Sequence, residues 1–146
     1  MTYIHYGDNE FNPEMLSKWP VPKETGHHYD KPQGLWASPV NAVFGWKKWC
    51  KQELYNLEKL EESFTFVISP KARVLHLHKI EDAEPYIRRD EITRDHVLDF
   101  RRIYENFDAM ELHLSEDRRG FLNSENFWEW DVDSICIWNP DIVKVV

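Results

Sequence analysis

Residues 63–78 read Ser63-Phe64-Thr65-Phe66-Val67-Ile68-Ser69-Pro70-Lys71-Ala72-Arg73-Val74-Leu75-His76-Leu77-His78. Ser63–Ile68 and Ala72–His78 are strand-like runs, and Ser69-Pro70-Lys71 between them is a turn. Two strands therefore follow one another with no helix between, unlike the alternation that βαβ units require. Upstream, Val43, Phe44, Trp46, Trp49, Leu54, Leu57 and Leu60 recur near helical spacing, so Ala42–Glu62 is predicted as the main helix. Downstream, Asp82–Arg89 reads as a short helix and Thr93–Glu105 as a second clear one. Val97, Leu98, Phe100, Ile103 and Tyr104 form the buried stripe of that second helix. Phe107–Leu114 alternates into a strand, and residues 115–126 read as an exposed polar loop. Trp128–Trp138 and Ile142–Val146 are two terminal strands broken by the turn Asn139-Pro140-Asp141.

At the other end, Thr2–Tyr6 is a short strand that stops at Gly7-Asp8. Residues 8–34 are rich in prolines and other turn formers, a pattern of a functional loop, with Asn12 and Pro13 starting a short helix over Pro13–Trp19. The element order predicts an α+β fold, with mixed or antiparallel sheets and two main helices in a single compact domain over residues 1–146.

The 146 residues suit one domain, and 42% hydrophobic residues supply enough apolar area for a core, which argues against wholesale disorder. Seven tryptophans exceed what that core needs, so some of their rings are expected on a cleft or contact surface. A net charge of -8 disfavours general nucleic-acid or anionic-membrane binding, while leaving room for a local basic pocket that takes one small phosphate-bearing ligand. The start, MTYIHYGDNEF, has neither a basic nor an apolar leader region, and no apolar run approaches a membrane span. Cys50 and Cys136 lack CxxC spacing, which fits a reducing compartment; a cytoplasmic protein is expected. There is no GxGxxG and no phosphate-binding P-loop, which disfavours a doubly wound dinucleotide fold.

Three segments carry the residues suited to chemistry: Tyr3-Ile4-His5-Tyr6-Gly7, Gly34-Leu35-Trp36-Ala37-Ser38, and Asp131-Val132-Asp133-Ser134-Ile135-Cys136-Ile137-Trp138. A helix carrying Phe44, Trp46, Trp49 and Cys50 follows the second. Together they resemble the ADP-ribosyltransferase-like fold, in its histidine–aromatic–glutamate branch that includes the poly-ADP-ribose polymerases. His5 and Gly7 are similar to that branch's His-Gly strand end, with Tyr6 inserted between them. Gly34–Ser38 resembles its Gly-Ile-Tyr-like strand and serine, with Trp36 where tyrosine is usual, and Trp49 falls where a helix aromatic stacks. Ser134–Trp138 matches the late strand in pattern, but Ser134 stands where the family has its catalytic glutamate.

The resemblance implies NAD as the substrate; no metal is expected, since the two cysteines lack CxxC spacing. His5 would orient a ribose and Gly7 would let backbone groups approach the nicotinamide amide. Tyr6, Trp36, Ser38 and Trp49 would complete the cofactor pocket, the indoles gaining about 1–2 kcal/mol against the cationic ring. Cleaving the glycosidic bond builds oxocarbenium character, which a nearby carboxylate stabilises. Asp133 or Ser134 is expected at the reacting ribose, with Asp131 and Glu111 as further carboxylates. The missing glutamate argues against polymer formation and leaves mono-ADP-ribosyl transfer or NAD hydrolysis, the acceptor being a protein, a nucleic acid or a small molecule.

Plainer readings stand beside these. His5 is equally a histidine bonded to backbone, and Trp46 is read as core. His76 and His78 share a strand face at metal-ligand spacing, yet no third ligand is near in sequence, so they are read as polar-face residues, as is the loop pair His27-His28. Arg88-Arg89-Asp90-Glu91 reads as mixed-sign surface. Two other functions fit the same residues: an inactive NAD- or nucleotide-binding module on the same fold, and an interaction or inhibitor domain with an aromatic face.

Overall fold

Gly7 sits at φ 110°, a conformation open to glycine and strained for other residues, and it ends strand β1 (Thr2–Tyr6) where the sequence predicts. The computed structural model of the chain describes residues 1–16 and 32–146. His27, His28 and the second half of the predicted Pro13–Trp19 helix lie outside the described residues. Its first half is a 3-10 turn over Pro13–Met15, capped by Asn12 as predicted.

The remaining strands are β2 (Leu35–Pro39), β3 (Ser63–Ile68), β4 (Val74–Leu77), β5 (Ile87–Arg89), β6 (His96–Leu98), β7 (Ala109–Leu112), β8 (Ser134–Ile137) and β9 (Val143–Val145). Seven of them form one sheet in the order β4-β7-β8-β2-β1-β3-β9, and β5 with β6 forms a separate hairpin. Every pairing is antiparallel except β4 with β7, which is parallel. The Ser69-Pro70-Lys71 turn thus carries the chain from one side of the sheet to the other: β3 pairs with β1 and β9, and β4 forms the opposite edge.

Strands β7 and β8 are buried along their whole length because both of their faces are covered. On one side Met110, Leu112 and Cys136 pack with Leu75, Leu77, Ile103, Tyr104, Phe121, Phe127, Trp130 and Trp138. On the other, Ala109, Ile135 and Ile137 pack with Tyr3, Leu35, Ala37, Phe64 and Phe66. Each such large side chain contributes roughly 1.5–3 kcal/mol of burial. Trp138 also satisfies its indole N–H, which donates to the Phe107 carbonyl at 2.7 Å.

The helices are shorter than predicted. The tract 42–62 holds only α1 (Trp46–Glu53); Leu54 and Asn56 then turn left-handed, and Leu57–Glu61 is a 3-10 turn. Leu54 and Leu57 are exposed, so their helical spacing reflects no buried stripe. In the second tract, Asp90 Oδ1 accepts the backbone N–H groups of Ile92 and Thr93 and closes a turn. His96–Leu98 then pairs as β6, and Asp99 caps α2 (Phe100–Asn106) by accepting the Arg102 N–H. Residues predicted as an open polar loop contain α3 (Arg118–Leu122), capped by Asp117, with Phe121 buried. The strand predicted over Trp128–Trp138 begins only at Ser134, and Ile80–Tyr86 is a 3-10 turn leading into β5. The chain is a compact mixed α+β domain with a curled sheet and few helices.

Candidate functional site

β1 pairs with β3 along all five residues but with β2 through only two, Tyr3 with Pro39 and Ile4 with Ser38. Where that ladder stops, the His5 side chain takes over: its Nδ1 lies 2.7 Å from the Trp36 carbonyl oxygen. A cleft of about 330 Å³ opens at this seam. β1 supplies Ile4, His5 and Tyr6, and β2 supplies Trp36, Ala37 and Ser38. Trp46, Asn56 and Lys59 line it as well, together with Trp130, Asp131, Val132 and Ser134. All three segments singled out in the sequence therefore border one hollow.

The side chains in the cleft have distinct environments. His5 Nε2 lies 2.9 Å from Asp8 Oδ2, so the ring bridges a carbonyl and a carboxylate. Trp36 is half-buried and meets Trp130 edge-on at 4.8 Å, which fixes its plane. Ser38 Oγ accepts the Trp46 N–H at 3.1 Å and so ties the start of α1 to β2. Burial pushes the Tyr6 phenol above its ordinary range. Ser134 is buried, and its hydroxyl donates to the Val132 carbonyl at 3.1 Å.

Four of the sequence-predicted residues lie elsewhere. Asp133 does not line the cleft: its buried carboxylate accepts from the Phe44 N–H at 3.2 Å, the Ser115 N–H at 2.7 Å and the Ser115 hydroxyl. Asp133 N–H donates back to the Phe44 carbonyl at 3.0 Å, so the residue is a clasp between the start of β8 and the loop before α1. Adjacent side chains of an extended chain point opposite ways, so Val132 and Ser134 border the cleft while Asp133 between them turns away from it. Trp49 stacks on Trp46 at 5.0 Å, and it is Trp46, read as core from the sequence, that borders the cleft. Gly7 lies outside the lining, where its N–H donates to Glu62 O at 2.8 Å. Glu111 points away as well and accepts the Tyr3 hydroxyl at 2.6 Å.

A second hollow of about 350 Å³ adjoins the first and shares Ile4, Tyr6, Ser38 and Trp46 with it. Lys47, Lys48 and Lys51 line it, and Lys59 borders the cleft itself. The spacing of these lysines does not mark them out in the sequence; their common surface appears only once α1 is placed beside β2.

Sequence reading also missed a histidine group. β4 and β7 bring His113 beside His76 and His78, whose ring nitrogens approach within 4.8 Å of one another. Burial, then the neighbouring His78, pushes His76 below the ordinary histidine value, and burial holds His113 low against the pull of Glu111 and Glu116. His113 lies 37 positions from His76, and only the pairing of β4 with β7 joins them.

Both cysteines are buried and neither forms a disulfide, and no helix among the described residues is long and apolar enough to cross a membrane. Comparison with protein-family models, with curated proteins and with solved structures finds no match to the chain.

Proposed function

We propose that the cleft binds NAD by its nicotinamide-riboside half and supports transfer of ADP-ribose from it, on an ADP-ribosyltransferase-like fold. The observation that carries this reading is the convergence of His5, Trp36 and residues 131–134 on one hollow. A volume near 330 Å³ lies at the low end for ligand pockets and suits a nucleoside rather than a whole dinucleotide. The adjoining lysine-lined hollow suits the pyrophosphate, as a local basic surface on a chain of net charge -8. The flat cationic ring lies against Trp36, and Trp46 is a second indole in the same lining. His5 orients the ribose from Nε2, which requires the sugar hydroxyl to replace or share the contact with Asp8. Asp131, in place of Asp133, is the carboxylate beside the reacting ribose, where negative charge favours an oxocarbenium-like state.

Binding without turnover is the second reading, and the environment of Ser134 favours it: the family's glutamate is absent there, and the hydroxyl is already engaged with Val132. One experiment separates the two. The protein is incubated with NAD while melting temperature and free nicotinamide are followed together. A ligand held only by the native state adds about 2.7 kcal/mol at a hundredfold excess over Kd. The transferase reading expects both a thermal shift and nicotinamide release, each lost in Trp36→Ala. A shift with no release establishes the binding module, and no shift at millimolar NAD removes both.

A further inference from the structure

Strands β4 and β7 run parallel and in register, with His76 beside Glu111 and Leu77 beside Leu112. His113 N–H donates to Leu77 O at 2.9 Å and carries the ladder one residue further. Side chains two apart share a face, so His76, His78, Glu111 and His113 emerge side by side as a two-by-two grid. The rings of His78 and His113 stack at 4.1 Å.

The contacts within the grid have the dimensions of a coordination polyhedron. His76 Nδ1 lies 3.1 Å from His113 Nε2. Glu111 Oε1 lies 3.4 Å from the first and 3.9 Å from the second. Ligands about 2.0–2.1 Å from a tetrahedral zinc stand about 3.4 Å apart, so these three atoms already mark out one face of such a site. The His78 ring, 53% exposed, lies beside this face, and a nitrogen from each of the three imidazoles lies within 4.8 Å of the other two. Glu111 is 1% exposed, and its Oε2 has no hydrogen-bond partner among the described residues. A buried carboxylate oxygen left unpaired is uncommon and points to a missing cation or donor. Glu116 Oε2 contacts His78 Nδ1 and lies 4.0 Å from His113 Nδ1, as do the outer carboxylates that orient metal-bound imidazoles.

We propose that His76, His78, His113 and Glu111 form a binding site for one divalent transition-metal cation of the zinc type. Three imidazoles and a carboxylate select zinc, cobalt or nickel over calcium and magnesium, which prefer all-oxygen shells. The cation pins the edge strand β4 to β7 and gives the buried Glu111 carboxylate an opposite charge. The site is separate from the cleft, and nothing in it depends on NAD.

The test uses the full chain, free of any added histidine tag, stripped with a chelator and titrated with zinc by calorimetry. One equivalent binds and raises the melting temperature, and cobalt in its place gives the intense visible absorption of a tetrahedral centre. His113→Ala and His78→Ala weaken zinc binding by more than the roughly 10–100-fold that loss of an outer partner costs. His96→Ala and the pair His27→Ala/His28→Ala leave the affinity unchanged. Should His113→Ala not fold, as judged by circular dichroism, the exposed His78→Ala decides alone. Failure of the parent protein to take up one equivalent, or equal affinity in a folded His78→Ala or His113→Ala, overturns the site. A weak octahedral cobalt spectrum overturns the proposed ligand set.

Discussion

Tyr3 donates its hydroxyl to Glu111 Oε1 at 2.6 Å, joining residues 108 apart in the chain on strands with two others between them in the sheet. Burial, and then the carboxylate, push the phenol far above its ordinary range. Burial raises Glu111 as well, against the pull of that hydrogen bond. Tyr3→Phe leaves Glu111 buried without its donor and is expected to cost about 1–3 kcal/mol in urea denaturation of the metal-free protein. Glu111→Gln keeps an acceptor for Tyr3 and removes the buried charge, so its loss is smaller. A Tyr3→Phe protein as stable as the parent contradicts this pairing.

Asp108 gives a pH prediction. Burial alone would raise its carboxyl, but the Arg73 backbone N–H at 2.8 Å, the Asn139 amide at 2.9 Å and the Arg73 guanidinium outweigh burial and hold it low. A carboxyl lower in the folded than in the unfolded chain adds stability above its unfolded value, and that stability disappears as pH falls through the folded one. Asp108→Asn is therefore less stable than the parent by about 1.5–3 kcal/mol at neutral pH, the range for hydrogen bonds to a charged group. The gap narrows below pH 3.8, the ordinary value for this carboxyl. Denaturation curves at neutral and acid pH check it, and a gap independent of pH refutes the assignment.

Two glycines separate steric from conformational cost. A Cβ on Gly34 would stand 2.3 Å from the Ile137 carbonyl oxygen, a backbone atom that cannot yield without moving β8. At Gly7 the space is open, and the cost is that of holding φ at 110°. Gly7→Ala is expected to lose about 1–3 kcal/mol. Gly34→Ala loses more and also disturbs Trp36 two residues on, so its near-ultraviolet tryptophan signal changes along with its melting temperature. The reverse order of stability would show that β2 adapts at its start.

Strands that end at strong turn residues were legible in the sequence. Thr2–Tyr6 and Ser63–Ile68 match residue for residue because Gly7 and Ser69-Pro70 stop them and their faces alternate. Helix lengths were not, because apolar spacing cannot tell a buried stripe from an exposed Leu54 and Leu57, and because Asp90, Asp99 and Asp117 restart the chain with their own caps. In the candidate site, His5 and Trp36 were singled out by the family resemblance, and both border the cleft. The exchange of Trp46 for Trp49, and of Asp131 for Asp133, depends on how α1 and β8 are rotated against β2. The third histidine at the β4–β7 edge depends on strand pairing, which local patterning does not encode.

The two aspartates that flank Val132 provide the sharpest contrast between structure and chemistry. Asp133 holds the Phe44 and Ser115 backbone together with three accepted hydrogen bonds, two of them from N–H groups at 3.2 and 2.7 Å. Asp133→Ala leaves those donors unpaired and is expected to lower stability by about 1–3 kcal/mol, with NAD affinity falling only as far as the native fraction does. Asp131 borders the cleft, so Asp131→Asn is expected to keep NAD binding and reduce nicotinamide release by about 10²-fold or more, the scale for removing one electrostatic group at a reacting centre. Melting curves and release rates measured on both variants decide between the residues. If Asp133→Asn stays folded and loses release while Asp131→Asn does not, the reacting ribose lies on the other side of Val132, and the cleft wall described here belongs to a different chemistry.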